Sequence, residues 1–329
     1  MVILRYNAVR RFQITFRMFV FLVVSVCFTG CSTFTGVKDV AVKATKATVN
    51  ATTKIVPYMG GPDSGIIRTV SLIPFKNETI FQQLALERVF EGMIVKYISE
   101  SCSEIRLLVT GGADFPESLK AVTASSGLDN LTMADKGREG GLAAIITGGV
   151  LNLSLAQEDE GILWFRETKE KLQTQFFLEV LDVETGAKIF DDRFVHEIIN
   201  MAPDEIQAFK IGQPALFASV SENIDKLAKD IAPKICNAIM AQPWTGYVVS
   251  VDGNQVYLSF GNSIGIKSGD VLEAHDHGQV VENLSGQRFI LPGGKIGEIR
   301  ISQMEDKFST GEILSGENIQ VGNPVKFKR

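Results

Sequence analysis

Residues 171–182 read KLQTQFFLEVLD, and residues 188–198 read KIFDDRFVHEI. In the first segment Leu172, Thr174, Phe176, Leu178 and Val180 fall at every second position. An extended chain turns alternate side chains to opposite faces, so this spacing puts all five on one face of a strand. Thr185-Gly186 between the segments supplies a tight turn, which predicts an antiparallel hairpin with Lys188–Ile198 as the return strand. Just upstream, Ala143–Leu155 (AAIITGGVLNLSL) reads as another long strand. Glu158–Gly161 reads as a turn, and Ile162–Phe165 as an edge strand or loop.

Working outward, Ile67–Phe75 (IRTVSLIPF) is a β-branched apolar run that predicts a buried strand, followed by a turn at Lys76-Asn77-Glu78-Thr79. Leu84–Ser99 has helical period, with Leu84, Leu86, Phe90, Met93, Ile94 and Tyr97 in one broad stripe. Ile105–Val109 is a second short strand, and Leu119–Ala124 and Met133–Gly140 are weaker helical segments. Pro214–Gln242 is a long helical stretch carrying Val220, Ile224, Ile231, Ile235 and Ile239. Pro233 lies inside it and predicts a kink or a split, because proline removes a helix donor and crowds the preceding turn. This order predicts an α/β sandwich over residues 66–242, with a mixed sheet and helices on one face.

The texture changes at Trp244-Thr245-Gly246. Gly246–Val251 and Gln255–Phe260 flank Asp252-Gly253-Asn254, a hairpin turn. Val271–Ala274, Lys295–Met304, Phe308–Ile313 and Val325–Lys328 follow as strands. Gly-Ile-Lys-Ser-Gly-Asp-Val at 265–271 and Ile-Gln-Val-Gly-Asn-Pro-Val at 319–325 are glycine-centred corners, each leading into a strand. The prediction for residues 243–329 is a small SH3-like β-barrel, and the chain as a whole is α+β.

Several of these stretches resemble known families. Val70-Ser71-Leu72-Ile73-Pro74-Phe75-Lys76-Asn77-Glu78-Thr79, Ala144-Ile145-Ile146-Thr147-Gly148-Gly149-Val150 and the turn Asp182-Val183-Glu184-Thr185-Gly186 resemble, in that order, segments of TolB-like and CsgG-like periplasmic domains. Gly246-Tyr247-Val248, Val256-Tyr257-Leu258, Gly265-Ile266-Lys267-Ser268-Gly269-Asp270, Ile296-Gly297-Glu298-Ile299 and Val321-Gly322-Asn323-Pro324-Val325 resemble the C-terminal domain of FlgT-type flagellar assembly proteins. In FlgT proteins a TolB-like domain precedes that barrel, so the two resemblances agree. They imply a protein that helps build rings around the flagellar basal body. CsgG-like domains imply an alternative, a subunit of an outer-membrane secretion assembly. Such subunits insert amphipathic hairpins, and Leu172–Asp182 with Lys188–Ile198 is the pair the sequence offers. Asp191, Asp192 and Arg193 make it a poor lipid-facing ribbon.

The N-terminus supplies an address. A basic segment is followed by the uncharged run Met18–Phe28 (MFVFLVVSVCF) and then by Thr29-Gly30-Cys31-Ser32. Basic flank, short apolar core and small residues before a cut define a secretory signal. The run is shorter than the ~20 residues that span a bilayer as a helix, and the competing reading is a plain N-terminal membrane anchor. Thr29-Gly30-Cys31 resembles a bacterial lipobox, with Phe28 where leucine is usual. The resemblance implies removal of residues 1–30 and attachment of diacylglycerol and an acyl chain such as palmitate to Cys31. Two or more chains anchor stably where one does not. Ser32, in place of the aspartate that retains lipoproteins at the inner membrane, implies a periplasm-facing position on the outer membrane. Residues 31–65, rich in Ala, Thr, Val and Lys, read as a tether, and in this chain tether and lipobox stand where FlgT-type proteins carry an extra N-terminal domain.

Composition narrows the chemistry. Of 329 residues, 45% are apolar and 22% charged, ordinary for a chain that buries a real core. The formal charge is −5 and residues 1–30 hold four Arg and no acid, so the rest of the chain carries −9. Nucleic acid is not an expected partner of so acidic a body. The four cysteines make no CxxC or Cys/His cluster, so neither a metal nor a cofactor is expected. Cys102 and Cys236 read either as two buried thiols or as a disulfide formed after export. His196, between Val195 and Glu197, reads as a sheet-edge residue, and His275-Asp276-His277 as an exposed loop continued by the polar stretch Gly278–Arg288. Gly261-Asn262-Ser263-Ile264-Gly265 has the GxSxG spacing but lies in a stretch that reads as strand and turn, without the helix that follows a nucleophile elbow, and neither GxGxxG nor a phosphate-loop lysine is present. The expectation is a binding and assembly protein rather than an enzyme, with partners in a flagellar ring or in further copies of itself. A cell-envelope hydrolase or sugar-binding protein is the remaining alternative.

Overall fold

A computed structural model describes residues 65–123, 129–162, 164–198, 202–211, 217–284 and 286–328. Cys31, Ser32 and the signal and tether segments up to residue 64 lie outside them. The fold is mixed α+β, with one large sheet and a closed six-stranded barrel.

The sheet begins with β1 (Arg68–Leu72), which pairs in parallel with both β3 (Ile105–Val109) and β4 (Ala144–Ile162). β5 (Phe165–Asp182) and β6 (Lys188–Ile198) continue it antiparallel, in the order β3-β1-β4-β5-β6. The short β2 (Lys76–Asn77) pairs with β4 at Gly149 and Val150. A Cβ on Gly149 would collide with the Lys76 carbonyl oxygen and the Phe177 ring, so this close pairing requires glycine there.

On one face lie α1 (Leu86–Ser101) and α5 (Phe217–Met240). Leu86, Phe90, Ile94 and Ile98 recur every fourth residue of α1 and are all buried, as a single apolar stripe dictates. They meet Val220, Ile224, Ile231 and Ile235 of α5 over Val70, Leu72, Ile146, Phe176 and Val180 of the sheet. Phe90 centres this core, its ring 5.3 Å from Phe75 and 4.8 Å from Phe176. Tyr97 Oη donates to Asp225 Oδ1 at 2.8 Å and ties the two helices together.

Four sequence expectations are corrected. Helices cover both faces of the sheet: Leu119 of α2 (Glu117–Thr123) and Ala134 of α3 (Asn130–Glu139) pack with Ile145, Leu181 and Val183 on the far side. The alternation behind this is plain in neighbouring residues, since Ile146 faces one core and Ile145 the other. Of the kink or split expected at Pro233, the split is absent: α5 runs unbroken from Phe217 to Met240. Buried Ile231, Ala232 and Ile235 on either side of it fix the helix through packing, which outweighs one lost backbone bond. Glu158–Gly161 is not a turn; β4 and β5 stay paired from Ala144↔Asp182 to Ile162↔Phe165. Finally, Gly278–Arg288 is not a loop throughout but holds part of a hairpin, β10 (Gln279–Glu282) and β11 (Arg288–Leu291). A further short helix, α4 (Pro203–Lys210), precedes α5.

The barrel is formed by β7 (Gly246–Asp252), β8 (Gln255–Leu258), β9 (Val271–His275), β12 (Lys295–Met304), β13 (Ser309–Gly316) and β14 (Pro324–Phe327), closed in the order β12-β13-β8-β7-β14-β9. Closure removes free edges and leaves one inward face to fill. Val248, Val256, Leu258, Leu272, Ile299 and Val325 fill it. Ile66, just ahead of β1, is buried in the same cluster, and Ile67 N donates to Ile264 O at 2.8 Å. The chain therefore enters the sheet along the side of the barrel.

Candidate functional site

Two features stand out on this frame: a groove at the seam between sheet and barrel, and a ribbon that leaves the sheet.

The seam is held by polar contacts at the β5–β6 turn. Asp182 Oδ2 accepts from Thr185 N at 2.9 Å and from Thr185 Oγ1, closing the turn, while Gly186 takes a positive φ of 69°. Glu184, presented by this turn, accepts from Lys326 Nζ of β14 at 2.5 Å and from Thr245 Oγ1 at 2.9 Å. Arg138, at the end of α3, donates to the carbonyls of Val183 at 2.6 Å and Glu184 at 3.1 Å, and pairs with Asp135. The β10–β11 hairpin reaches across: Ile290 N donates to Thr185 O at 2.7 Å, and Arg288 lies 3.5 Å from Asp129. Burial raises the Asp182 carboxyl above the ordinary range, against its hydrogen bonds from Thr185, which act to lower it.

These contacts leave an open groove of about 750 Å³ between α3, strands β7 and β14, and the hairpin. Its volume is that of a typical ligand cleft. Tyr247 of β7 lines it and is 5% exposed. Burial, with the Glu184 charge second, holds its phenol protonated far above the usual tyrosine range. Tyr247 Oη hydrogen-bonds none of the described residues. Val249, Val280 and Val321 line the groove and are 54%, 60% and 61% exposed.

The ribbon is the far end of β4 and β5. β6 pairs with β5 only from Leu172 to Leu181. Beyond that, from Ala156↔Lys171 to Ile162↔Phe165, the two strands share no ladder with a third strand among the described residues. Thr168 Oγ1 donates to Asp159 Oδ1 at 2.7 Å across the two strands, and Lys210 of α4 braces the base through Glu170 at 3.0 Å. At the turn Trp164 is 82% exposed, in the sequence Ile162-Leu163-Trp164-Phe165.

The residues singled out in the sequence fall as follows. Cys31 and Ser32 lie outside the described residues. Cys102, just past α1, and Cys236, in α5, are brought into disulfide contact with Cα atoms 6.0 Å apart. His196 Nε2 sits 2.6 Å from Asn223 Oδ1 and joins β6 to α5. His275 contacts the Gly293 carbonyl at 3.2 Å and Glu273 at 3.7 Å, while His277 lines the groove. Among the described residues no three metal-ligating side chains converge, and no helix is long and apolar enough to cross a membrane. The hairpin offered for membrane insertion, Leu172–Asp182 with Lys188–Ile198, lies within the sheet; the ribbon that projects is β4–β5. The groove was not readable in the sequence, because Arg138, Glu184, Tyr247 and Val321 come from four separate elements. The ribbon did leave a signal, four consecutive apolar residues behind an acidic run.

No protein-family model and no curated protein matches the chain. Solved structures with partial likeness include the hypothetical protein CT253 from Chlamydia trachomatis, at 11% identity and a TM-score of 0.36, covering 54% of this chain and 99% of that one. Lipoprotein GNA1162 from Neisseria meningitidis matches at 10% identity and a TM-score of 0.29, covering 44% of this chain and 92% of its own. The PelC dodecamer from Paraburkholderia phytofirmans matches at 11% identity and a TM-score of 0.29, covering 56% and 95%. At this level they do not assign the chain to a fold family.

Proposed function

We propose that the chain is a lipid-anchored, periplasm-facing protein of the outer membrane that binds and assembles protein partners, with no catalytic role. The observation that carries the reading is Thr29-Gly30-Cys31 directly behind the apolar run Met18–Phe28. Lipid on Cys31 fixes the N-terminus, Ser32 leaves the protein free to leave the inner membrane, and the tether sets the reach of the folded body. In this reading residues 66–242 are a TolB/CsgG-like domain and residues 243–329 a FlgT C-terminal-like, SH3-type barrel. The assembly is a ring around the flagellar basal body, built with ring components or with further copies of this chain. The projecting ribbon and the groove support a docking role, since exposed apolar features on a folded body mark contact sites.

The test has two arms. Labelling with radioactive palmitate should mark the wild-type protein and leave Cys31→Ser unmarked and soluble; a Cys31→Ser protein that still partitions with membranes would overturn the anchor. A deletion strain should lose swimming and assembled flagella; normal motility would overturn the ring assignment. The β4–β5 ribbon favours a second reading, a secretion assembly of the CsgG-like kind. Normal swimming together with loss of a secreted product would select it.

A further inference from the structure

We infer that the seam groove binds an extended segment of a partner protein that carries apolar residues and a basic side chain. The inference rests on the assembly reading above and names the partner chemistry for one surface of the body.

Three observations fix that chemistry. First, the groove is continuous with exposed apolar surface: Val249, Val280 and Val321, from β7, β10 and the approach to β14, are each more than half exposed. Apolar side chains clustered around one cleft on a soluble body are a contact surface rather than scattered exposure. Second, Tyr247 offers a hydroxyl that none of the described residues satisfies, although the residue is 5% exposed. A nearly buried, unmatched O–H on a residue that lines a cleft calls for an acceptor, and a peptide carbonyl is one.

Third, the charges are unequal. Asp135, Glu139, Glu184 and Asp276 line the groove against the single guanidinium of Arg138. Arg138 pairs with Asp135, Lys136 with Glu139, and Lys326 with Glu184. Asp276 pairs with no cation among the described residues; its Oδ1 accepts only from His277 N, at 2.8 Å. A carboxylate left over beside an apolar cleft selects a Lys or Arg on the incoming chain and repels an acidic one. The docked segment would set apolar side chains on the three valines, a carbonyl on Tyr247 Oη and a basic side chain on Asp276.

The test uses the full mature chain in detergent and two fluorescein-labelled hexapeptides, one alternating Val-Lys and one alternating Val-Glu, read by fluorescence anisotropy. The Val-Lys peptide should bind saturably, and the Val-Glu peptide at least about tenfold more weakly. Asp276→Asn should weaken Val-Lys binding about tenfold, and Tyr247→Phe and Val321→Arg should weaken it comparably. Asp276 and Val321 are exposed, and Tyr247→Phe keeps the ring, so all three variants should keep the wild-type unfolding midpoint. Absence of saturation up to about 1 mM, where peptide binding is negligible, would overturn the inference. So would equal affinity for the two peptides, or insensitivity to all three variants. A dimer that Val321→Arg dissociates would assign the groove to a second copy of the chain and overturn the peptide reading. Failure here leaves the motility outcome standing, and normal motility in the deletion strain leaves a measured peptide affinity standing, so the two readings fail separately.

Discussion

Lys326 Nζ lies 2.5 Å from Glu184 Oε1, although 142 residues separate the two in the chain. The lysine side chain is 15% exposed and the glutamate 11%. They clamp the last barrel strand onto the β5–β6 turn. Removing one partner strands a poorly hydrated charge, which typically costs about 3–5 kcal/mol. Lys326→Met should therefore lower the urea midpoint sharply. The double variant Glu184→Gln/Lys326→Met should recover most of that loss, because no uncompensated charge remains. A double variant as unstable as the single one would show that the pair is not what holds the seam.

Cys102 and Cys236 are 134 residues apart in sequence and 6.0 Å apart between Cα atoms. A crosslink closing so long a loop stabilises mainly by restricting the unfolded chain, typically by about 2–4 kcal/mol. Protein exported to the periplasm should show the linked peptide pair by mass spectrometry, lost on reduction. Cys102→Ala/Cys236→Ala should lower the unfolding free energy within that range. Recovery of both cysteines as free thiols from periplasmic material would refute the bond.

Local rules were enough where both partners of a contact are close in sequence. The α1 stripe Leu86, Phe90, Ile94 and Ile98 is legible as a period, and the β5–β6 hairpin as alternation around Thr185-Gly186. Two things defeated local reading. The acidic run at 158–160 and Gly161 look like a turn by composition, yet they are strand, because residues such as Asp159 find their partners on β5. Pro233 breaks helices in isolation, yet tertiary packing on both sides of it outvotes its local preference. The groove is illegible for a related reason. No spacing rule brings Arg138, Glu184, Tyr247 and Asp276 together; only closure of the barrel against the sheet does.

Asp182 gives a pH signature with a definite sign. Its carboxyl is raised above the ordinary 3.8, chiefly because burial penalises the charged form. The folded state then holds a proton that the unfolded chain has already released. Stability contributed by this group is present below the unfolded value and is lost as pH rises through the raised one. Asp182→Asn keeps an oxygen for the Thr185 hydrogen bonds and removes the titration. Urea midpoints measured across the mildly acidic range should fall with rising pH less steeply in Asp182→Asn than in wild type. Identical slopes would move the titration to another group, Glu91 being the next carboxylate raised by burial.

Gly149 tests the register of the sheet edge. Its missing side chain admits the Lys76 carbonyl and the Phe177 ring where β2 pairs with β4. The clash from an added methyl falls on backbone, which cannot swing aside. Gly149→Ala should destabilise by about 1–3 kcal/mol, the usual range for overpacking. Gly92→Ala is the matched control: nothing stands within 4 Å of its would-be Cβ, and it lies inside α1. There alanine should stabilise slightly, by about 0.5–1 kcal/mol. Opposite signs in the two variants are the expected result, read from urea midpoints; a neutral Gly149→Ala would mean that β2 does not pair there.

Trp164 separates folding from assembly. At 82% exposed it contributes little to the core, and substitutions at such positions usually change stability by no more than about 0.5 kcal/mol. Its place at the far end of a ribbon that Lys210 braces near the base gives it reach instead. Exposed tryptophans that do contribute to binding are commonly among the residues that dominate it, at about 2 kcal/mol or more on truncation. Trp164→Ser should therefore leave the unfolding midpoint and the membrane fraction unchanged. The same variant, returned to the deletion strain, should fail to restore whichever assembly the wild-type chain restores. Full complementation by Trp164→Ser would remove the ribbon tip from the docking surface and leave the seam groove as the contact to test.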